Sequence, residues 1–304
     1  MIDDLVVEMQ ISPPQEVVHE IHGTFDYCGV IFQPKFRMGR VTKYYGNLKN
    51  LLVEIVYDKL VIRNSWHKYY HGNNYGDYTY GEIKETIYQL TDRFGHEFLN
   101  AKIKKMAVGC NLPMDAGDIF PKCIALGPDV FQEMKFGNKH RTYGKYIKKT
   151  HSKFKVYDKQ WEVKEHDRHK ISPTFRVELE MNMQACQKRA NEPSQIYQVK
   201  DLVDLKKIIF VIYELLLPVS QIVFDNELPL KIAECFKDVE ILVFMRDPTL
   251  RKEVKERVNP KTFRQWSARY EELQNLHGQK NLKATLLKRV EDKMVELVRN
   301  GSNA

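Results

Sequence analysis

The chain of 304 residues reads as an α+β protein, an antiparallel-sheet half over residues 1–192 followed by an all-helical half over 193–304. Three observations lead there. Apolar and polar residues alternate in several segments before Asn182, the period of a half-buried strand. Beyond Ser194 the apolar residues instead recur every three or four positions, the period of a helix buried on one side. Pro193 and Ser194 break the chain between the two regimes, where a domain boundary is expected.

Composition bounds the class. Hydrophobic residues make up 43% and charged residues 29%, enough apolar material for a substantial core. No run of about eighteen apolar residues occurs, and the start MIDDLVVEMQ is acidic rather than a basic leader. Neither membrane insertion nor secretion is expected, and the cytoplasm is the expected compartment. Cys28, Cys110, Cys123, Cys186 and Cys235 are odd in number and never spaced C-x-x-C. They read as reduced thiols, not as a zinc site or a disulfide frame.

In order, residues 1–50 are broken by Pro13-Pro14, Gly23, Gly29 and Pro34 and read as an irregular arm or short strands. Leu51 to Tyr57 and Leu60 to Arg63 read as a hairpin turning at Asp58-Lys59. The stretch His67 to Gly81, rich in tyrosine and glycine, reads as a loop. Thr79 precedes a helix Glu82 to Leu99 with Ile83, Ile87, Leu90, Phe94 and Phe98 on one stripe, and Ile103 to Asn111 reads as a strand. Strands are expected at Lys153 to Asp158 and Phe175 to Met181, with a charged loop holding Glu162, His166 and His169 between them. Helices follow at Val199 to Leu217, stopped by Pro218, and at about Leu230 to Phe236, Val239 to Phe244 and Leu250 to Val258. Asn259-Pro260 then opens another through about Leu276, and the last spans Leu282 to Val298. The short join at Asn259 allows a helix-turn-helix with Lys261, Arg264, Gln265, Arg269 and Tyr270 near DNA, or a plain bundle with Phe263, Trp266 and Tyr270 in its core.

Charge is concentrated. Residues 141–170 hold ten Lys or Arg against four Asp or Glu, most of the net +8 of the whole chain. Such a patch is the footprint of a polyanion-binding surface. Lys145, Lys148, Lys149, Lys153 and Lys155 are the expected backbone contacts.

Two segments carry a resemblance. Tyr157-Asp158-Lys159-x-x-Glu162 followed by Arg176-x-Glu178 resembles the Y-[DN]-K-x-x-E and R-x-E signature of rolling-circle replication initiators of plasmids and filamentous phages. Upstream, Ser65-x-x-Lys68-x-x-x-Gly72-x-Asn74 is similar to a segment of gene II-type replication proteins. The resemblance implies a nuclease-like sheet domain in a bacterial host's cytoplasm. It implies that a tyrosine attacks one phosphodiester of origin DNA, single-stranded or supercoiled, leaving a 5′-phosphotyrosine and a 3′-hydroxyl for a host polymerase working with a helicase. It implies Mg²⁺ or Mn²⁺ on Glu162 and Glu178, with Asp158 a further ligand, and DNA contacts from His67, Lys68 and Arg176. Lys159 falls within the catalytic motif, and Tyr197, Tyr143 and Tyr146 are the nucleophile candidates, because the position where relatives place their tyrosine falls near Gln187. Where relatives carry an acidic strand this chain has Ala107 and Asn111, so one carboxylate is missing or comes from elsewhere. A non-enzymatic single-stranded DNA or RNA-binding protein remains the other reading, since basic strands and exposed aromatics suffice for it.

Overall fold

The computed structural model describes residues 1–135, 141–183, 196–225, 233–277 and 282–300. Gln187, Cys186, the break at Pro193-Ser194 and residues 230–232 lie outside the described residues, and the rest of the helix expected over Leu230 to Phe236 is non-helical up to Phe236, where the next helix starts.

The first fifty residues are strands, not an irregular arm. Ile2, Leu5, Val7 and Met9 are buried along β1 (Ile2–Gln10), an alternation interrupted at Asp3-Asp4, and the register against the strand formed by residues 102–112 shifts there and again between Val6 and Val7. A single turn α1 (Gln15–Val18) leads to β2 (Phe25–Tyr27), β3 (Val30–Arg37) and β4 (Arg40–Leu48). β5 (Leu51–Val56) and β6 (Lys59–Ser65) form the expected hairpin, but Val56 faces Lys59, so the turn is Tyr57-Asp58 with Tyr57 at φ 57°.

The predicted loop after it begins as a helix, α2 (Trp66–His71). Ser65 caps its start by accepting from the Lys68 N–H at 3.0 Å, and Gly72 ends it at φ 76°. α3 (Tyr80–Phe94) starts from a capping box of Thr79 and Glu82 and stops at Gly95, earlier than expected, with a 3₁₀ turn completing the segment. β7 (Lys102–Leu112), β8 (Cys123–Leu126), β9 (Asp129–Val130), β10 (Gln132–Lys135), β11 (Thr142–Lys148) and β12 (Ser152–Asp158) follow. The charged segment after β12 is helical, α4 (Lys159–His166), because the Asp158 carboxylate caps it on the Trp161 N–H at 2.8 Å. β13 (Phe175–Asn182) closes the sheet half.

The second half comprises α5 (Leu205–Ser220), which continues two residues past Pro218, then β14 (Ile222–Phe224), α6 (Phe236–Arg246), α7 (Pro248–Arg257), α8 (Pro260–His277) and α9 (Leu282–Arg299). It is therefore not purely helical: β14 pairs with β8 in a small three-stranded sheet.

Among the described residues the main sheet has eleven strands, ordered β10-β11-β12-β13-β7-β1-β6-β5-β4-β3-β2, and every pairing is antiparallel. One face is apolar. Leu5, Val7, Met106, Val108, Phe154, Val156, Val177 and Leu179 share one core with Ile83 and Ile87 of α3, Ile208 and Val211 of α5, and Val290 and Met294 of α9. Residues on either side of 193 thus pack into the same interior. α6, α7 and α8 instead form a second cluster, around Ile124, Val223, Met245, Phe263 and Tyr270. Tyr270 is core and Arg269 pairs with Asp238, Glu234 and Glu272, so these two residues serve the bundle, while Lys261, Arg264 and Gln265 are exposed.

Met294 on α9 is fully buried in the sheet's core. Met294→Ala is expected to cost about 2–5 kcal/mol. Far-UV circular dichroism should lose sheet and helix signal together at a lower urea midpoint; loss of helix alone, ahead of the sheet, would contradict a shared core.

Candidate active site

The polar face of the same strands holds the site. Register sets Tyr157 beside Arg176 and Asn111, Lys155 beside Glu178 and Gly109, and Lys153 beside Glu180 and Ala107. Period-two alternation sends all of these to the side opposite Val156, Val177 and Val108. Gly109 lets the strands close up, since a Cβ there would collide with the Val177 carbonyl.

Arg176, 3% exposed, is the hub. Its Nη2 donates to Asp3 at 2.7 Å, its Nε to Glu178 at 2.9 Å and its Nη1 to Asn111 at 3.0 Å. Glu178 also accepts from Lys155 at 2.5 Å and from the Tyr157 hydroxyl at 3.1 Å. Lys155 reaches Glu180 as well. Asp3 accepts from the Ser65 hydroxyl and from Asn74 Nδ2 at 3.4 Å. Lys159 is buried, donating to Glu162 at 2.6 Å and to Asn74 Oδ1 at 3.2 Å. Both motif segments therefore meet in one network, and Asp3 supplies a carboxylate beside the strand where the expected acidic positions are Ala107 and Asn111. Asp3 was not a sequence candidate: the parity of Leu5, Val7 and Met9 would put it on the apolar face, and it is the register shift between Ile2 and Leu5 that breaks that parity.

Burial and charge tune these groups. Burial would raise the Glu178 carboxyl, but Lys155 and Arg176 overcome it and hold the group far below the ordinary carboxylate range. Burial lowers the Lys159 ammonium, with Arg176 adding to the effect and Glu162 opposing it. Asp4 is pushed up to about 6 by burial, with Asp3 and Glu178 contributing repulsion. Burial raises the phenol of Tyr143, and Glu162 adds to the rise.

The remaining candidates divide. Lys68 lines a cavity of about 310 Å³ together with Asn74, Lys159, Glu162, Val163, His166 and Asp167. The neighbouring His67 is buried, stacked on Tyr78 at 5.1 Å and held neutral with its pKa lowered to about 3 by burial, so it is no surface contact for DNA. Arg176 is likewise buried and turned to protein carboxylates. Asp158 is spent as the cap of α4. Tyr143 stacks on Trp161 at 4.8 Å and stands edge-on to Tyr157 at 6.4 Å, next to the network. Tyr146 lies under the Lys153 ammonium at 4.5 Å. Tyr197 accepts from Ile103 N–H through its carbonyl, six residues along β7 from Gly109, which puts its backbone roughly 20 Å from the Glu178 row.

Two of the five lysines expected on DNA are engaged elsewhere: Lys145 donates to the Pro121 and Cys123 carbonyls at 2.7 and 2.8 Å, and Lys155 is locked on Glu178 and Glu180. Lys148, Lys149 and Lys153 instead share a groove with Lys104, Lys105 and His151.

The divalent ion implied by the resemblance does not fit this arrangement. Both oxygens of Glu178 face cationic or phenolic donors, Glu162 is paired with Lys159, and Asp3 with Arg176. Among the described residues no three His, Cys, Asp or Glu side chains stand together as a cage. A dication at Glu178 would first have to displace Lys155 and Arg176.

No family model and no curated protein matches the chain. Among solved structures it is similar to the rolling circle replication initiator protein from Geobacillus stearothermophilus, at 13% identity and a TM-score of 0.34, over 60% of this chain and 73% of that one. A likeness of that size carries no chemistry across. None of the helices among the described residues is long and apolar enough to cross a membrane.

Two outcomes follow from the network. Glu178→Gln leaves Lys155 and Arg176 buried without their shared charge and is expected to cost about 3–5 kcal/mol in urea unfolding; a loss below 1 kcal/mol, on the order of a surface pair, would contradict the role given to it. For Asp4, the folded state binds the proton more tightly than the unfolded chain. Its stabilisation is complete below the ordinary value of 3.8 and is lost as pH rises through about 6. Asp4→Asn should therefore melt higher than the parent at about pH 8 and gain nothing at about pH 4. The reverse ordering would contradict the burial of that carboxylate.

Proposed function

We propose that the chain cuts and rejoins one strand of origin DNA through a tyrosine-linked intermediate, as a rolling-circle replication initiator does. One observation carries the reading. Ser65, Asn74, Lys159, Glu162, Arg176 and Glu178, drawn from segments up to about a hundred residues apart, meet in a single hydrogen-bonded network joined through Asp3.

Tyr143 is the favoured nucleophile. It sits against Trp161 and beside Glu162, Lys155 and Glu178, whereas Tyr197 lies at the other end of β7. In the proposed step the Tyr143 phenol oxygen bonds to phosphorus and the P–O3′ bond breaks. The 5′ phosphate stays on the tyrosine, and the phenol proton passes to the departing oxygen, giving a 3′-hydroxyl. Attack by that hydroxyl on the phosphotyrosine reverses the step and reseals the strand. In this reading Lys68 is the lysine of the cavity that turns to the phosphate, since Lys159 is held by Glu162. The raised phenol keeps Tyr143 protonated at neutral pH, so the proton must leave during the attack rather than before it.

The test is mass spectrometry of the peptide crosslinked to a cleaved origin oligonucleotide. A phosphonucleotide on Tyr143, lost in Tyr143→Phe with DNA binding retained, is the expected result. An adduct on Tyr197 would move the nucleophile, and binding with no adduct on any tyrosine would leave a DNA-binding protein without strand transfer.

A further inference from the structure

The hairpin of β3 and β4 has no part in the network above, yet it carries a charge pattern of its own. From Lys35 to Lys43 its two strands pair only with each other, because β2 reaches no further than Phe32 and the pairing with β5 begins at Tyr44. The connection is the two-residue turn Met38-Gly39, with φ of 50° and 76°. Both turn residues occupy the left-handed region that a tight hairpin demands, and glycine takes it without cost while methionine does not. At this apex Met38 is 94% exposed, and behind it Phe36 is 47% exposed with its ring edge-on to His22 at 5.1 Å.

The charge pattern is equally one-sided. Between Tyr27 and Val53 there are five Lys or Arg and no Asp or Glu. Arg37 lies directly opposite Arg40, and Lys35 opposite Lys43. Like charges facing each other across a ladder destabilise it. Lys43 is relieved by Glu54, but no carboxylate among the described residues pairs with Lys35, Arg37 or Arg40. Protection of an edge strand accounts for Pro34 and a lysine, but not for opposed arginines behind an exposed methionine.

We propose that this hairpin is a docking arm for B-form duplex DNA, entering the major groove with Met38 foremost. Phosphates supply the negative charge that the protein withholds from Lys35, Arg37 and Arg40. Two strands about 4.8 Å apart fit a groove about 12 Å wide, where an apolar side chain meets base edges such as the thymine methyl. The major groove of duplex RNA is too deep and narrow for the ribbon. The arm does not depend on strand cleavage: it is a binding surface, read by binding alone.

The experiment uses the full chain and three fluorescent probes of about 20 nucleotides or base pairs, a duplex DNA, one of its strands and the matching duplex RNA, titrated at several salt concentrations. Arg37→Ala with Arg40→Ala should flatten the salt slope for duplex DNA by about two units and weaken binding about tenfold at 0.1 M salt. Met38→Ala should weaken duplex DNA binding with the slope intact. Both variants should melt no lower than the parent, because the first removes a like-charge pair and the second an exposed side chain. An unchanged duplex DNA slope in the arginine variant overturns the proposal. So do equal losses on the single strand or on duplex RNA, which would make the arm a general polyanion surface. The same losses measured in Tyr143→Phe separate this result from the fate of the cleavage reading.

Discussion

A guanidinium at the middle of the sheet has to be satisfied on every side, and the arrangement of the polar face follows from that requirement. Arg176 is taken from water by β7, β12 and β13, and an unpaired buried cation costs several kcal/mol. Its three acceptors come from three strands: Asp3 on β1, Asn111 on β7 and Glu178 on its own strand β13. Moving any of these strands by two residues would keep its apolar face inward yet leave the charge without its acceptors. The polar contact thus fixes a register that the apolar face, with valines and leucines at alternate positions, specifies only by parity.

The same network divides the charges into two kinds. Lys155, Arg176, Glu178 and Asp3 neutralise one another inside the protein and are rigid for that reason. Lys68 on the cavity and Lys104, Lys148 and Lys149 in the neighbouring groove lie outside that set and are partly or fully open to solvent, whereas Lys159 is buried on Glu162. Electrostatic stabilisation of a reacting phosphate works best when the donors are already aimed. A fixed inner set holding an accessible outer set is a physical way to achieve this.

How much of this could be read from the sequence depended on whether the signal was local. The strands around Phe154 and Val177 were legible because alternation there is clean, and Thr79 and Asn259 marked helix starts because capping is decided within four residues. Residues 1–50 stayed open between an irregular arm and short strands because Asp3-Asp4 interrupts the period of β1 and prolines follow it, although both flanking strands support it in the fold. α2 read as loop because the glycines that follow it mask the local signal of the Ser65 cap that precedes it. The motif residues were found, Asn74 among them, but their partner Asp3 was not assigned to the site, because a long-range contact leaves no spacing to count. Lys145 and Lys155 were indistinguishable from their neighbours in sequence; only the burial of their ammonium groups separates them.

Sheets coil, and the position of β13 relative to β4 gives that coiling a consequence. Five steps separate them through β7, β1, β6 and β5. At the usual rotation between neighbouring strands this turns their axes by roughly 100–125° over about 24 Å. A coil of that usual size would set the strands of the basic hairpin steeply across the Arg176 strand. A straight nucleic acid cannot lie along both, so a molecule that engages the two at once must bend sharply or branch between them, and the shape of that junction is written into the coil of the sheet.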